Sequence, residues 1–238
     1  MTTGGRSGAE GAGIRHGLDK AAVLDAAVRL IDARGTAGFS VRELARVMGV
    51  YPATIYWHIG GRKDDFLAEV AAHVIDGFMV PAPKGEDWRV TLRGLFEGYR
   101  KAMHRHPNIA TFTGSQLVSN GMSSAPLIER ILDALGRAGF EGTALIDAYN
   151  ATLAALVGFV TLELAAAPAR QQEWEDRFRE DLAQIDAERF PRLHSALPDM
   201  ANKAFILRWD NGSVVPLDGG FRVYVEAFIA GLASRTKG

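Results

Sequence analysis

The 238-residue sequence contains no cysteine. That excludes a disulfide framework, thiolate catalysis and cysteine-based zinc sites, and it fits a reducing compartment. Long hydrophobic runs are also missing. The longest, from Ala151 to Leu162, falls short of the ~20 residues that a bilayer crossing needs, and Asp147, Asn150 and Glu163 flank it. The Gly-rich first residues have no apolar segment of the kind a secretory signal requires. A cytoplasmic protein without a membrane partner is therefore expected. Motifs of enzyme chemistry are absent too: no nucleophile motif, no Gly-rich phosphate loop and no metal triad. His104 and His106 stand two apart, so they do not share a helix face, and no carboxylate sits at ligand spacing beside them. They read as helix-end histidines before Pro107, where a positive charge complements the helix dipole. No metal and no cofactor are expected.

What the chain does have is 47% hydrophobic and 23% charged residues, ordinary for a globular protein with a sizeable core. The formal net charge of −1 gives no global hint of nucleic acid, but its distribution is uneven. Residues 1–63 hold nine Lys/Arg against five Asp/Glu, a net +4, which leaves −5 for the remainder. A basic head on an acidic body suits an anion-binding end.

Helical periodicity runs through most of the sequence. Met1 to Gly17 is Gly-rich and aperiodic, and reads as a flexible arm (1–17) whose Arg6 and Arg15 are candidates for a minor groove. Asp19 can cap a helix that runs to Arg34, where Gly35 ends it. Ser40-Val41-Arg42-Glu43 is a capping box that opens a second helix, with Val41, Leu44, Ala45 and Met48 on one face. Gly49 breaks that helix, and Pro52 suits the first turn of a third, which Gly60-Gly61 stops. Asp64 and Asp65 begin a fourth, with Phe66, Val70 and Val74 facing inward. Long helices are expected at about 88–105, 108–120, 126–138, 143–166, 171–188 and 221–235. Asn211-Gly212 between two β-prone runs predicts a small hairpin or extended loop near 205–217.

Two short helices joined by a Gly-containing turn fit a helix-turn-helix. The second would bury Ile55 and Ile59 and fan out Thr54, Tyr56, Trp57 and His58, side chains suited to base edges, phosphates and thymine methyls. Ser40 and Arg42 lie at the start of the first, and Arg42, Arg62 and Lys63 would add phosphate contacts. The residues Val23-Leu24-Asp25-Ala26-Ala27, Gly35, Gly38-Phe39-Ser40, Arg42-Glu43-Leu44-Ala45, Gly49-Val50 and Thr54-Ile55-Tyr56-Trp57-His58 resemble the DNA-binding domain of the tetracycline-repressor (TetR) family. The likeness covers roughly residues 19–66 and is greatest to the subgroup that carries a Tyr-Trp-His triplet in its recognition helix. It departs at Gly60-Gly61 and at Tyr51-Pro52. It implies an all-α homodimer with a helix-turn-helix domain (18–66) and a ligand-binding and dimerisation domain (67–238). Such a dimer would bind an inverted-repeat, double-stranded operator.

The same resemblance, weaker in the body, assigns "GFVTLE" and "GFRVYVEAFIAGLASR" to two helices of a dimer bundle. The helix over Thr143–Ala166 is apolar nearly all round and is expected to be buried on both sides. Leu156, Val160, Leu164, Tyr224, Phe228 and Leu232 are the expected interface residues. A small-molecule effector would occupy a mostly apolar pocket among the middle helices. The candidates are Phe96, Tyr99, Met103, Phe112, Gln116, Met122, Asn150, Phe159 and Trp174. Gln116 and Asn150 are favoured because an amide inside an apolar helix needs a partner. Nothing matches the magnesium ligands of the tetracycline repressor. The function expected is a repressor released by a small antibiotic or metabolite. The alternative is a ligand-independent regulator under the control of a protein partner.

Overall fold

A computed structural model describes residues 19–59, 63–79, 83, 85–119, 124–166, 170–205 and 207–236. Among them it forms eleven α-helices and no strand. The N-terminal head is built from α1 (Lys20–Arg34), α2 (Val41–Met48), α3 (Pro52–Ile59) and the start of α4 (Lys63–Asp76). Asp19 caps α1 by accepting the Ala22 N–H at 2.7 Å, and Gly35 ends it at φ 68°, a conformation that favours glycine. Ser40 accepts the Glu43 N–H at 3.1 Å, but the reciprocal half of the capping box does not form. The Glu43 carboxylate instead accepts hydrogen bonds from Arg46 and Arg34. The Arg46 bond, together with the Arg34 charge, outweighs burial and holds its pKa at about 2.

The body consists of α5 (Trp88–Arg105), α6 (Pro107–Ser119), α7 (Ala125–Arg137), α8 (Gly142–Glu163), α9 (Gln171–Ala183), α10 (Pro191–Met200) and α11 (Asp218–Arg235). At its centre, α5 packs against α4, α6, α7, α8 and α11. One continuous apolar core runs from Val23 in α1 to Leu232 in α11, so head and body share it. α4 crosses from one to the other, and both α1 and α4 pack on α6. Polar contacts reinforce that junction. Asn108 donates to the carbonyls of Ile31 and Asp32 at 3.1 and 3.0 Å, while His106 Nδ1 lies 2.7 Å from Asp32 Oδ2. His73 Nε2 lies 2.7 Å from Asp25 Oδ1 and ties α4 to α1. His106 therefore does not merely close a helix end: it meets a carboxylate that lies far away in sequence.

Three expectations are corrected. α8 has 22 residues with mean hydropathy 1.6, enough by length and composition to cross a membrane, whereas the sequence run had looked too short. Within the chain α8 buries only one face, through Ala148, Thr152, Ala155, Leu156, Phe159, Val160 and Glu163, and leaves Ile146 and Leu162 exposed. The hairpin over 205–217 does not form. A type I′ turn needs positive φ at both central residues, and neither Asn211 nor Gly212 has it. Val214 and Val215 instead donate to the Asn211 carbonyl in a helical turn, and an isolated antiparallel bridge joins Ala204 to Leu207. α10 was not among the expected helices; Pro191 occupies its first turn, Pro198 lies inside it, and Leu197 is its buried residue.

Glu163 holds the body together at the end of α8. Its side chain is 0% exposed and takes Arg100 in a fork, Nε at 2.8 Å and Nη2 at 2.6 Å. His104 Nε2 lies 3.0 Å away, and the Leu217 N–H donates at 2.8 Å. The Glu163 carbonyl also accepts the Gly212 N–H at 2.7 Å, so close that a Cβ at position 212 would collide with the Glu163 side chain. One carboxylate thus joins α5, α8 and the segment leading into α11. Burial alone would raise its pKa, but the bonds from Arg100, His104 and Leu217 outweigh burial and hold it at about 2.

A carboxyl lowered from 4.5 to about 2 contributes roughly 3 kcal/mol of stability. The contribution is complete above about pH 5 and is lost as pH falls through 4.5 towards 2. Urea unfolding of the wild type should show this acid dependence. Glu163→Gln should be about 3 kcal/mol less stable at pH 7 and much flatter between pH 5 and 2. Equal stability at pH 7 would refute the role assigned to Glu163.

Candidate nucleic-acid interface

α2 and α3 form the expected helix-turn-helix. Gly49 adopts the left-handed conformation (φ 67°, ψ 30°) that reverses the chain, and Val50 donates back to the Ala45 carbonyl at 3.0 Å. α3 then opens with Pro52, and Thr54 donates to the Tyr51 carbonyl at 2.9 Å. Among the described side chains of α3, only Ile55 is buried, at 0% exposure. It joins the core that contains Leu44, Val41 and the Phe39–Phe66 ring pair, whose centroids are 5.7 Å apart.

That one anchor decides what the helix displays. Trp57 is 81% exposed and Tyr56 46%, while Thr54 and His58 are half-buried. The Trp57 and His58 rings meet edge-on at 4.8 Å, which braces the indole without burying it. Ser40 is exposed, although its hydroxyl is engaged as the α2 cap. Arg42 is exposed and makes no ion pair among the described residues. Arg62 lies outside the described residues, as do the side chains of Lys63 and Ile59; the arm over 1–17 lies outside them as well. Tyr51, at 85%, is more exposed than any other large apolar or aromatic side chain described, and it was not among the expected contacts. Its place just before a proline at the first helical turn was the available signal. These exposed aromatic and hydroxyl-bearing side chains are able to meet base edges and methyl groups, and exposed Arg42 on α2 could meet phosphate.

The other expected residues are scattered. Leu156, Val160, Leu164 and Leu232 are buried within the chain, and Tyr224 and Phe228 pack half-buried against Phe96, so all six face inward. Exposed apolar or small positions on the same helices include Ile146, Ala154 and Leu162 on α8, and Val223, Ala227, Ala230 and Gly231 on α11, where Arg222 and Glu226 are exposed as well. These six expected interface residues thus pack within the chain; apolar residues on both sides of α8 give no register in the sequence. Among the ligand candidates, Phe96, Tyr99, Met103 and Phe159 are core, and burial pushes the Tyr99 hydroxyl pKa up. Phe112 is half-buried against the core, whereas Asn150 is exposed. Trp174 stacks on Phe178 at 5.5 Å on the outer helix α9. Met122 and the side chain of Gln116 lie outside the described residues.

Comparison with known proteins agrees with this arrangement. Residues 23–70 match the family model "Bacterial regulatory proteins, tetR family", and residues 80–233 match "Tetracyclin repressor-like, C-terminal domain". The class D tetracycline repressor of Escherichia coli is 33% identical over 92 residues, 37% of this chain and 41% of that protein. The class C repressor is 27% identical over 185 residues, covering 76% and 80%. The chain thus spans about two fifths of the first relative's length. The Streptomyces coelicolor protein ActR, solved in complex with actinorhodin, shares the fold: TM-score 0.69 at 19% identity, covering 91% of this chain and 96% of that one.

Display by a single anchor has a measurable consequence. Ile55→Ala should lower unfolding stability by about 2–5 kcal/mol. Trp57→Ala and Tyr51→Ala should stay within about 0.5 kcal/mol of the wild type. Thermal and urea melts of the three variants check this, and a large loss for Trp57→Ala would place the indole in the core.

Proposed function

The chain belongs to the TetR family, and from that premise we propose that it is a cytoplasmic, homodimeric repressor that binds an inverted-repeat operator and is released by a small ligand. The observation that carries the reading is the exposure of Tyr51, just before α3, and of Tyr56 and Trp57 on that helix, which Ile55 holds. A protein with no use for them would not keep three large aromatics in water on one short element. Ser40, Arg42, Thr54, Tyr56, Trp57 and His58 are the proposed DNA contacts, with Arg62 and Lys63 on phosphate. The head is taken as 18–66 and the body as 67–238, with α4 running across that boundary.

The exposed face of α8 and α11 supports a dimer. Val223, Ala227 and Ala230 recur at helical spacing beside Gly231, and their small side chains let a second pair of helices approach closely. Two α3 helices about 34–36 Å apart would then read successive major grooves. The ligand would favour a dimer with a different head spacing and must bind that state more tightly than the operator-bound one. The contacts of Asn108 and His106 with α1 offer a route, since a shift of α6 would move the head. ActR, solved in complex with actinorhodin, supports a small-molecule ligand. One observation favours the ligand-independent alternative: Phe96, Tyr99 and Met103 fill the interior around α5 with the chain's own side chains.

Selection from a random duplex pool at two salt concentrations should enrich an inverted repeat, with half-site centres about one helical turn apart. Recovery of no motif, with binding that vanishes as salt rises, would mean phosphate contact alone and would overturn the reading. Sedimentation should show a dimer in the wild type and a monomer in Val223→Glu/Ala227→Glu. A dimer that survives this double substitution would remove α11 from the interface.

A further inference from the structure

We propose that Tyr51 reads a base pair of the operator, a specificity contact outside the set named above; this rests on the DNA-binding reading of α3. The placement of the ring has a local cause. Four residues before Ile55, a helical Tyr51 would stand beside it on the buried side of α3. Tyr51 is instead 85% exposed. It precedes Pro52, the first residue of α3, and a residue before proline is disfavoured in the helical conformation. The chain therefore leaves the helical path at Tyr51, and the ring turns to solvent at the N-terminal end of the helix. Its backbone stays tied to that helix, because the Tyr51 carbonyl accepts the Thr54 N–H at 2.9 Å.

Other exposed aromatics of the chain have company. Trp57 meets His58, Trp174 stacks on Phe178, Phe205 meets Phe159 edge-on, and the Arg189 guanidinium lies over Phe190. The Tyr51 side chain makes no hydrogen bond, ring contact or cation contact among the described residues. The place of the ring selects its partner. In a helix-turn-helix the N-terminal residues of the second helix are the ones that reach base edges. A phenol suits such an edge: its O–H both donates and accepts, and its ring can lie on a thymine methyl. With two side-chain torsions and a backbone held next to Pro52, it loses little freedom on binding. The group is neutral, so its contribution is to discrimination between base pairs and not to the salt-dependent attraction for phosphate.

The test takes full-length wild type, Tyr51→Phe and Tyr51→Ala through duplex selection. Each is then titrated on the selected operator and on duplexes changed at one base pair at a time. Wild type is expected to enrich an inverted repeat. Tyr51→Phe removes only the hydroxyl and should cut discrimination at one base pair in each half-site by about threefold to tenfold. Tyr51→Ala should lose that discrimination altogether and keep the preferences at other positions. Melting curves that match wild type confirm that both variants are folded. An inverted repeat for wild type, with the same preferences in both variants, would overturn the proposal and leave the DNA-binding reading standing. A loss spread evenly over all sequences would make Tyr51 a backbone contact and would overturn the proposal as well. No motif from wild type would remove the DNA-binding reading itself, and the proposal with it.

Discussion

An eight-residue helix cannot hold itself together in water, because nucleation is costly and too few hydrogen bonds repay it. The orientation of α3 therefore depends on what it buries, and among its described side chains that is Ile55. Seating Ile55 in the core with Leu44 and Val41 fixes the rotation of the helix. At 100° per residue, that rotation sends Trp57 to the opposite side and Tyr56 outward. The display of aromatics follows from one buried methyl-rich side chain and from the left-handed Gly49 that sets the angle of approach.

The head is useful to a regulator only if the body can move it. Here the two share a core, and the polar contacts at their junction converge on the end of α1. Deeper in the body, Glu163 holds α5 to α8 and to the segment that leads into α11. A buried carboxylate without Arg100 would be strongly unfavourable, so the pair imposes one arrangement of these elements. Both constraints act at the C-terminal end of α5, through Arg100 and His104 in its last turns and His106 at its cap.

Much of this was legible in the sequence, and the gaps have physical reasons. Asp19, Ser40, Gly35 and Gly49 marked helix ends because capping and positive φ are local properties. The head could be read almost residue by residue for the same reason. Tyr51 stood out as a departure from the family pattern but was not among the expected contacts, because exposure depends on what packs nearby. The Glu163–Arg100–His104 network was invisible because its members lie 59 and 63 positions apart. Asn211-Gly212 suggested a hairpin, but the approach of Gly212 to Glu163 favours a helical turn that local propensity does not show. Burial of the six expected interface residues within the chain was not legible, since an α8 that is apolar on both sides does not say which side faces its own core.

Hydrogen exchange with and without duplex DNA tests the central claim most directly. The account predicts that added protection falls on α3, on the start of α2 around Ser40 and Arg42, and on the start of α4, with little change over α9 and α10. Protection confined to the body, or spread evenly over the chain, would contradict a DNA-reading α3.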